Sequence, residues 1–171
     1  MNPPRLTLRA ARESDAQALW SVRSRAIRIS AASHYGEDEL DAWAERSRPE
    51  AHVRAIRTRP VVVAEIPSPA APRIVGFAQL QPNEGVVEAI YVDPDFARRG
   101  VGAALFGELE RIARTRGLPG LTVEASLNSA PFYAAMGFVR RAIDRHELAP
   151  GVHLACAVMD KRLAAPAGAA A

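Results

Sequence analysis

One stretch decides how this sequence is interpreted: Ile90-Tyr91-Val92-Asp93-Pro94-Asp95-Phe96-Ala97-Arg98-Arg99-Gly100-Val101-Gly102-Ala103-Ala104-Leu105. Its apolar start predicts a strand, and the glycines that follow open a predicted helix. A helix N-terminus presents unpaired main-chain N–H groups and a partial positive charge, and glycine lets an anion approach the backbone. Arg98 and Arg99 add charge at the same place. The stretch therefore predicts a loop that binds a pyrophosphate.

Two other kinds of phosphate-binding loop do not fit this stretch. A dinucleotide-binding fingerprint needs a third glycine where the chain has Leu105, and the Gly-Lys-Ser/Thr ending of a P-loop is missing. A Gly-x-Gly pair at the start of a helix is a weak signal by itself, because glycine also serves simple tight turns. The elements on either side are needed to decide.

Hydrophobic periodicity and turn residues on both sides of the loop predict the order β-ααα-βββ-α-β-α-ββ. Capping boxes at Ser14 and Ser47 predict the starts of the first and third helices. The nearly continuous apolar run Val86–Val92 is typical of a strand that is covered on both faces. The order predicts one α/β (α+β) domain over residues 1–163, with a mixed, mostly antiparallel sheet. A disordered tail is expected over residues 164–171.

The composition excludes several classes of protein. The 171 residues suffice for one domain, no apolar run approaches the length of a membrane span, and no signal-peptide core follows Met1. Cys156 is the only cysteine, so an intrachain disulfide and a Cys-x-x-Cys site are excluded, and no metal is expected. These features favour a cytoplasmic location. The net charge of +3 is not gathered into one basic run, which argues against nucleic acid as a partner.

Two motifs together resemble the GCN5-related N-acetyltransferase (GNAT) family. Residues 91–105 are similar to the family's acetyl-CoA motif, Tyr-Val-x-Pro-x-x-x-x-Arg-Gly-x-Gly-x-x-Leu, and residues 128–138 are similar to its second signature, which contains Phe-Tyr and ends in Gly-Phe. The resemblance covers nearly the whole chain. One position departs from the pattern, since Ala97 stands where the family usually has glutamine or arginine. Weaker phosphate binding is expected there, with Arg98 or Arg99 in compensation.

The resemblance implies a sheet of about seven strands, flanked by helices and splayed between strands 4 and 5, with acetyl-CoA as cosubstrate. The main chain of strand 4 would pair with the pantetheine arm, and a freed N–H near Tyr91 would polarise the acetyl carbonyl. Asn128 would contact the cofactor, although a role as a helix N-cap explains it equally well. The implied cofactor-binding residues are Ile90, Tyr91, Val92, Arg98, Arg99, Gly100, Val101, Gly102, Ala103, Asn128 and Tyr133.

Candidate catalytic residues follow from the chemistry that the resemblance implies. Tyr133 is the candidate general acid, since a phenol can protonate the departing thiolate; the alternative is an aromatic residue that packs a helix on the sheet. An amine arrives protonated and needs a base, for which Glu88 is the first choice, because burial would favour its uptake of a proton. The alternative is a salt bridge or an exposed position. Glu124, on the neighbouring strand, is the second choice.

The acceptor is the least defined part of the prediction. His34 and Tyr35 lie where the family usually builds its acceptor pocket, and His34 could equally be a surface loop residue. Together with Glu124, they are the candidate acceptor-binding residues. The leading hypothesis is direct transfer of acetyl to a small-molecule or peptide amine in a ternary complex. The alternatives are a non-catalytic acyl-CoA-binding sensor and an acetyltransferase of protein or tRNA-linked amines. Family members often form homodimers, so that assembly stays open.

Overall fold

The computed structural model describes residues 6–164, which contain a seven-stranded sheet. Its strands run in the order β1-β2-β3-β4-β5-β7-β6. Only β4 and β5 are parallel, and every other neighbouring pair is antiparallel. The strand bounds are Thr7–Ala10 (β1), Val61–Ile66 (β2), Arg73–Gln81 (β3), Val86–Val92 (β4), Gly120–Ser126 (β5), Val139–Ala149 (β6) and Val152–Arg162 (β7).

Five α-helices flank the sheet, and the predicted order of helices and strands is confirmed. Helix α1 continues directly into a π-helical turn, Ala26–Ser30. Among residues 6–164, no helix has both the length and the apolar character needed to cross a bilayer. The predicted tail lies outside the described residues except for Ala164. The helix bounds are Ala16–Arg25 (α1), Glu37–Glu45 (α2), Pro49–Thr58 (α3), Val101–Thr115 (α4) and Ala130–Ala135 (α5).

The two predicted capping boxes are wrong. A 3-10 turn, Glu13–Asp15, precedes α1, and there the Asp15 carboxylate, not the Ser14 hydroxyl, accepts a hydrogen bond from the main-chain N–H of Arg12 at 2.7 Å. Helix α3 begins at Pro49, after Arg48, and no side chain in the described part of the chain caps it. The Ser47 hydroxyl instead lies 3.5 Å from the ring of His52. Neither serine is therefore the N-cap residue that the sequence suggests.

Neighbouring residues of one strand pack on opposite sides of the sheet. Val62 belongs to the apolar cluster around Leu105 of α4, whereas Val63 belongs to the cluster around Leu19 of α1. Side chains alternate between the two faces of a strand, so a strand that is covered on both faces is apolar throughout. The run Val61–Ala64 is fully buried for this reason.

The sheet splays between β4 and β5, as predicted. A single register pair, Val86 opposite Thr122, joins the two strands. In β4 the register with β3 shifts, because Gln79 pairs with Ala89 and Leu80 pairs with Val87. This shift leaves Glu88 as the extra residue of a β-bulge. The two strands therefore diverge beyond Val86, and a gap opens in the middle of the sheet.

Candidate active site

A cavity of about 200 Å³ passes through the gap between β4 and β5. Gly102 and Tyr133 line it on the side of α4 and α5, whereas Ile27 and Trp43 line it on the side of α1 and α2. Its walls include Ile90, Tyr91 and Val92 of β4, and Val123, Glu124, Ala125 and Ser126 of β5. The cavity therefore connects the two faces of the sheet at the predicted position of the thioester.

Main-chain groups of β4 are directed into this gap. The N–H of Asp93 donates to the carbonyl of Val75 in β3, at 2.8 Å. The direction of these groups alternates along a strand, so the N–H of Tyr91 also faces β3, while those of Ile90 and Val92 face the gap. A freed N–H was expected near Tyr91, and the N–H groups that face the gap are those of its neighbours, Ile90 and Val92.

The predicted phosphate loop ends in a helix N-terminus without a side-chain cap. Gly100 is left-handed, with φ of 81°, and Arg98 before it also has a positive φ, of 63°. The N–H of Ala104 donates to the carbonyl of Gly100 at 3.0 Å, and the three N–H groups before it have no acceptor within the helix. No side chain of residues 6–164 caps this end of α4.

The space around the loop fits a bound pyrophosphate. A Cβ atom added to Gly100 would meet nothing within 4 Å, whereas one added to Gly102 would lie 3.2 Å from the ring of Phe132. Ala97, at the position that departs from the family pattern, lines the cavity. Arg98 and Arg99 are exposed, and in the described part of the chain neither forms an ion pair.

The buried carboxylate of Asp93 fixes the junction between β4 and this loop. It accepts hydrogen bonds from Arg73 at 2.8 Å and from the main-chain N–H of Asp95 at 3.1 Å, and Arg25 lies at 3.3 Å. Burial alone would raise the pKa of Asp93, but these hydrogen bonds and the charge of Arg25 outweigh it and hold the pKa below its ordinary value. Asp93 thus connects the start of the loop to Arg73 of β3 and Arg25 of α1.

Tyr133 is buried on α5, and it lines the cavity. Its ring packs edge-on against Phe132 and Phe138, with centroids at 5.1 and 5.4 Å. Burial, and to a smaller extent the neighbouring Tyr91, raises the pKa of the Tyr133 phenol above 10. The phenol therefore stays protonated at neutral pH and is available as a proton donor.

Asn128 lines the cavity just before α5. The residue before that helix is Ser129, so the N-cap alternative for Asn128 does not apply. Its Oδ1 atom is buried and has no hydrogen-bond partner among the described residues. A buried carbonyl oxygen without a partner is costly, so a donor from a bound molecule would satisfy it.

Glu88 is not the buried carboxylate that the sequence predicted. Because it is the extra residue of the bulge, it is exposed, and it forms an ion pair with Arg59, which follows α3. The alternative stated for Glu88, a salt bridge at an exposed position, is therefore what the structure shows. Glu88 nevertheless lines the cavity, so its carboxylate remains within the candidate site.

Glu124 also lines the cavity, and its exposed carboxylate lies 2.9 Å from Nε2 of His146 in β6. With Asp144, these two residues place three possible ligand atoms within 4.8 Å of one another. The expected absence of a metal stays an expectation.

Of the three residues predicted to bind the acceptor, Glu124 lines the cavity, whereas His34 and Tyr35 lie outside its lining. His34 is exposed in the loop before α2, where its Nδ1 contacts the Ser33 hydroxyl at 2.8 Å. Tyr35 is buried; its hydroxyl donates to the carbonyl of Ala155 and accepts from the N–H of Leu127, at 2.6 and 2.7 Å. Tyr35 thus ties the loop before α2 to β7 and to the end of β5.

Several residues of the site were missed by the sequence analysis. Trp43, Arg59 and His146 belong to no motif in the sequence. Each reaches the site through a tertiary contact with a distant part of the chain, so no local pattern marks it. Cys156 is buried in β7 outside the cavity lining, and burial raises the pKa of its thiol, which argues against a nucleophilic role.

Comparisons with known proteins agree with this geometry. The sequence profile of the "Acetyltransferase (GNAT) domain" matches residues 31–154. The uncharacterized N-acetyltransferase YafP of Escherichia coli K12 is 28% identical over 133 residues, which cover 78% of this chain and 81% of YafP.

Solved structures share the fold over nearly their full length. The GCN5-related N-acetyltransferase from Rhodopseudomonas palustris superposes with a TM-score of 0.82 and 32% identity, over 95% of this chain and 98% of that one. The N-acetyltransferase PaiA of Thermoplasma acidophilum, solved with coenzyme A, has a TM-score of 0.76 and 19% identity, over 93% and 99% of the two chains. The profile match, which spans most of the sequence, confirms the predicted resemblance: the chain belongs to the GCN5-related N-acetyltransferase family and is an acyltransferase.

Proposed function

We propose that this protein transfers the acetyl group of acetyl-CoA to an amine by direct attack within a ternary complex. The observation that carries the proposal is the cavity that passes through the splayed sheet. One end of it borders the uncapped N-terminus of α4, and the other end opens among α1 and α2. Two substrates can therefore approach one point from opposite faces, so no covalent enzyme intermediate is needed.

The α4 side has the groups that would hold acetyl-CoA. The main chain of Gly100, Val101, Gly102 and Ala103, with Arg98 and Arg99, would bind the pyrophosphate. Ile90, Tyr91 and Val92 would hold the pantetheine arm along β4, and Asn128 would accept a hydrogen bond. When bound, acetyl-CoA supplies an acetyl group activated as a thioester. The N–H groups of β4 that face the gap would stabilise negative charge on the carbonyl oxygen.

Two side chains would move the protons. Glu88 remains the first choice of base, since it lines the cavity and would take the proton that an ammonium group must lose. Glu124 is the second choice. Tyr133, which stays protonated at neutral pH, would donate a proton to the departing sulfur.

The accessible cavity supports an enzyme over a non-catalytic acyl-CoA sensor, in which the acceptor cleft would be filled. Small-molecule, peptide and tRNA-linked amines remain candidate acceptors. A homodimer and a cytoplasmic location are further parts of the proposal. Exposed apolar side chains on the edge strand β6, Val139 and Ile143, are consistent with a protein contact there.

A thermal-shift titration with acetyl-CoA, CoA and NAD tests the cofactor, and an amine screen then tests the transfer. At one hundred times its Kd, a ligand stabilises the fold by about 2.7 kcal/mol, which is a rise in Tm of about 5–10 °C for a domain of this size. We expect this rise with acetyl-CoA and CoA and not with NAD. Absence of a shift at millimolar acetyl-CoA would overturn the proposal.

A pair of variants makes the titration specific to the loop. Gly102→Val places a branched side chain between Phe132 and the phosphate cradle, so the shift with acetyl-CoA should fall strongly. Gly107→Val makes the same change in the same helix, at a position where an added Cβ meets nothing within 4 Å. It should keep the full shift, and an equal loss in both variants would contradict the assigned cradle.

A further inference from the structure

A second cavity, of about 460 Å³, lies on the α1–α3 side of the sheet. It shares Trp43, Glu88, Ala89 and Tyr91 with the cavity through the gap. The two cavities therefore meet at the bulge of β4. The volume of the second cavity falls within the range typical of small-ligand sites.

Positive charge exceeds negative charge in the lining of this second cavity. Three arginines, Arg23, Arg54 and Arg59, line it with one carboxylate, Glu88. Arg59 is paired with Glu88. Neither Arg23 nor Arg54 has an ion-pair partner within residues 6–164. The lining thus carries two positive charges that no side chain of the described chain balances.

Arg23 is the buried member of this group. Its guanidinium donates to the carbonyls of Ala44 and Trp43, at 3.0 and 2.9 Å, near the end of α2. These contacts fix the side chain, and the negative end of the helix dipole favours the charge. The carbonyls are neutral, however, so they leave a full positive charge in a largely desolvated place. A buried charge is costly unless an opposite charge compensates it.

The remaining polar wall does not supply that compensation. His52 is buried beside the cavity and packs edge-on against Phe77. Burial, together with the charge of Arg23, lowers the pKa of His52 to about 4. His52 is therefore neutral at physiological pH. Arg54, at the exposed end of the lining, remains accessible to a ligand from solvent.

We infer that this cavity holds the acceptor, and that the acceptor is an amine that also carries an anionic group, a carboxylate or a phosphate. The inference rests on the proposed function and deepens it by naming the class of substrate. The amine would lie at Glu88, where the two cavities meet, and the anion would lie toward Arg54 and Arg23. Guanidinium groups suit both anions, because their planar N–H donors match two oxygen atoms at once.

The test compares matched amines that differ in their anion. β-Alanine against β-alaninamide examines the carboxylate, and phosphoethanolamine against ethanolamine examines the phosphate. With acetyl-CoA, at least one anionic member should have a kcat/KM about tenfold or more above that of its neutral partner, a difference typical of one charge-assisted contact. The pair with the larger ratio identifies the anion.

Variants of Arg54 connect this preference to the cavity. Arg54→Gln should reduce the ratio severalfold, and Arg54→Glu should abolish it, because the change reverses the charge at the exposed end of the lining. Arg57→Gln is the matched control, since Arg57 lies on the same helix, is exposed, pairs with Glu13 and is outside the lining. It should leave the ratio unchanged. Both positions are exposed, so these variants should fold.

The outcomes separate this inference from the proposed function. Acetyl transfer without preference for the anionic amines, or equal effects of the Arg54 and Arg57 variants, overturns the inference and leaves the acetyltransferase standing. If no amine of the panel is acetylated, thermal shifts with CoA plus β-alanine or phosphoethanolamine decide. A rise in the wild type that Arg54→Glu removes supports the anion site, and no rise with either probe overturns it.

Discussion

The cavity through the sheet and the second cavity that meets it at the bulge of β4 are built from different parts of the polypeptide. On the α4 side the candidate groups are mostly main chain: the N–H groups of a helix start and of β4, near Gly100 and Gly102. On the α1–α3 side they are side chains, such as Glu88, Arg59 and Arg23. Main-chain donors are the same whatever the side chains are, so one cofactor can be kept. Side chains can change one at a time, so the acceptor can differ.

The largest loss of activity is expected at Glu88, because the proposed base is a side chain on the acceptor side. Glu88→Gln keeps the size of the residue but cannot take up a proton. We expect kcat/KM for an amine to fall about 10³-fold at pH 7, the middle of the range for general base catalysis. The thermal shift with acetyl-CoA should be kept, because the cofactor is held by other groups.

Glu84→Gln is the matched control, because it makes the same change in the exposed turn before β4. Its kcat/KM should equal that of the wild type. A loss of less than threefold in Glu88→Gln would exclude Glu88 as the base, and Glu124→Gln would then be the variant to measure.

A smaller loss of activity is expected at Tyr133. This side chain lies on the α4 side, where most of the candidate groups are main chain. Tyr133→Phe removes the proton donor, and it should lower kcat about 10²-fold. The affinity for acetyl-CoA should stay within a few-fold, because the phenol makes no charged contact. Single-turnover rates and the thermal shift measure the two quantities separately.

Tyr35→Phe makes the same chemical change at a structural tyrosine. It leaves the N–H of Leu127 and the carbonyl of Ala155 without their partner, so it should cost about 1–3 kcal/mol of stability. Tyr133→Phe should lower Tm much less than this. The opposite ranking of the two Tm values would mean that the Tyr133 hydroxyl serves packing, and not proton transfer.

The smallest effect is a pH dependence of stability from His52 on the acceptor side. The unfolded chain binds a proton at this histidine below pH 6.5, whereas the folded chain does so only below a pKa of about 4. Protonation therefore favours the unfolded state between these values, and His52 loses about 2 kcal/mol of its contribution as pH falls from 6.5 to 5.

Urea unfolding between pH 6.5 and 5 measures how the free energy of unfolding changes with pH, for the wild type and for His52→Gln. The variant should lack most of the slope, whereas His153→Gln, at an exposed position of β7, should keep it. A slope in His52→Gln that equals that of the wild type would contradict the assignment of a buried, neutral His52.

The same contrast explains which parts could be predicted from the sequence. The loop over residues 90–105 has a local cause, since strand, glycines and helix start follow one another in the chain. The order of elements could be predicted from periodicity and turn residues, and the splayed sheet followed from the family resemblance. The contacts of Arg59 with Glu88, and of Arg23 with the end of α2, join segments about 20 to 30 residues apart. No local pattern specifies such contacts.

The errors have physical causes of the same kind. The side chains of Ser14 and Ser47 match a capping pattern, but Asp15 makes the contact at the first start and no side chain of residues 6–164 caps the start of α3. Tyr35 lies at the predicted place in the chain, but its hydroxyl is already used by two main-chain groups. Glu88 was expected to be buried because it is surrounded by apolar residues, and the bulge that exposes it leaves no sign in that run.

The β-bulge at Glu88 also decides which face of the sheet each later residue of β4 occupies. Val87 packs with the α4 cluster and Ala89 packs with the α1 cluster, although residues two apart in a regular strand share a face. Beyond the bulge, Ile90 and Val92 return to the α4 side and Tyr91 turns toward α1. The number of residues between Glu88 and the phosphate loop is therefore as constrained as their identity. Loss of one residue between Ala89 and Val92 would exchange the faces of every side chain between that point and the loop, whereas loss of Glu88 itself would remove the bulge and keep the alternation.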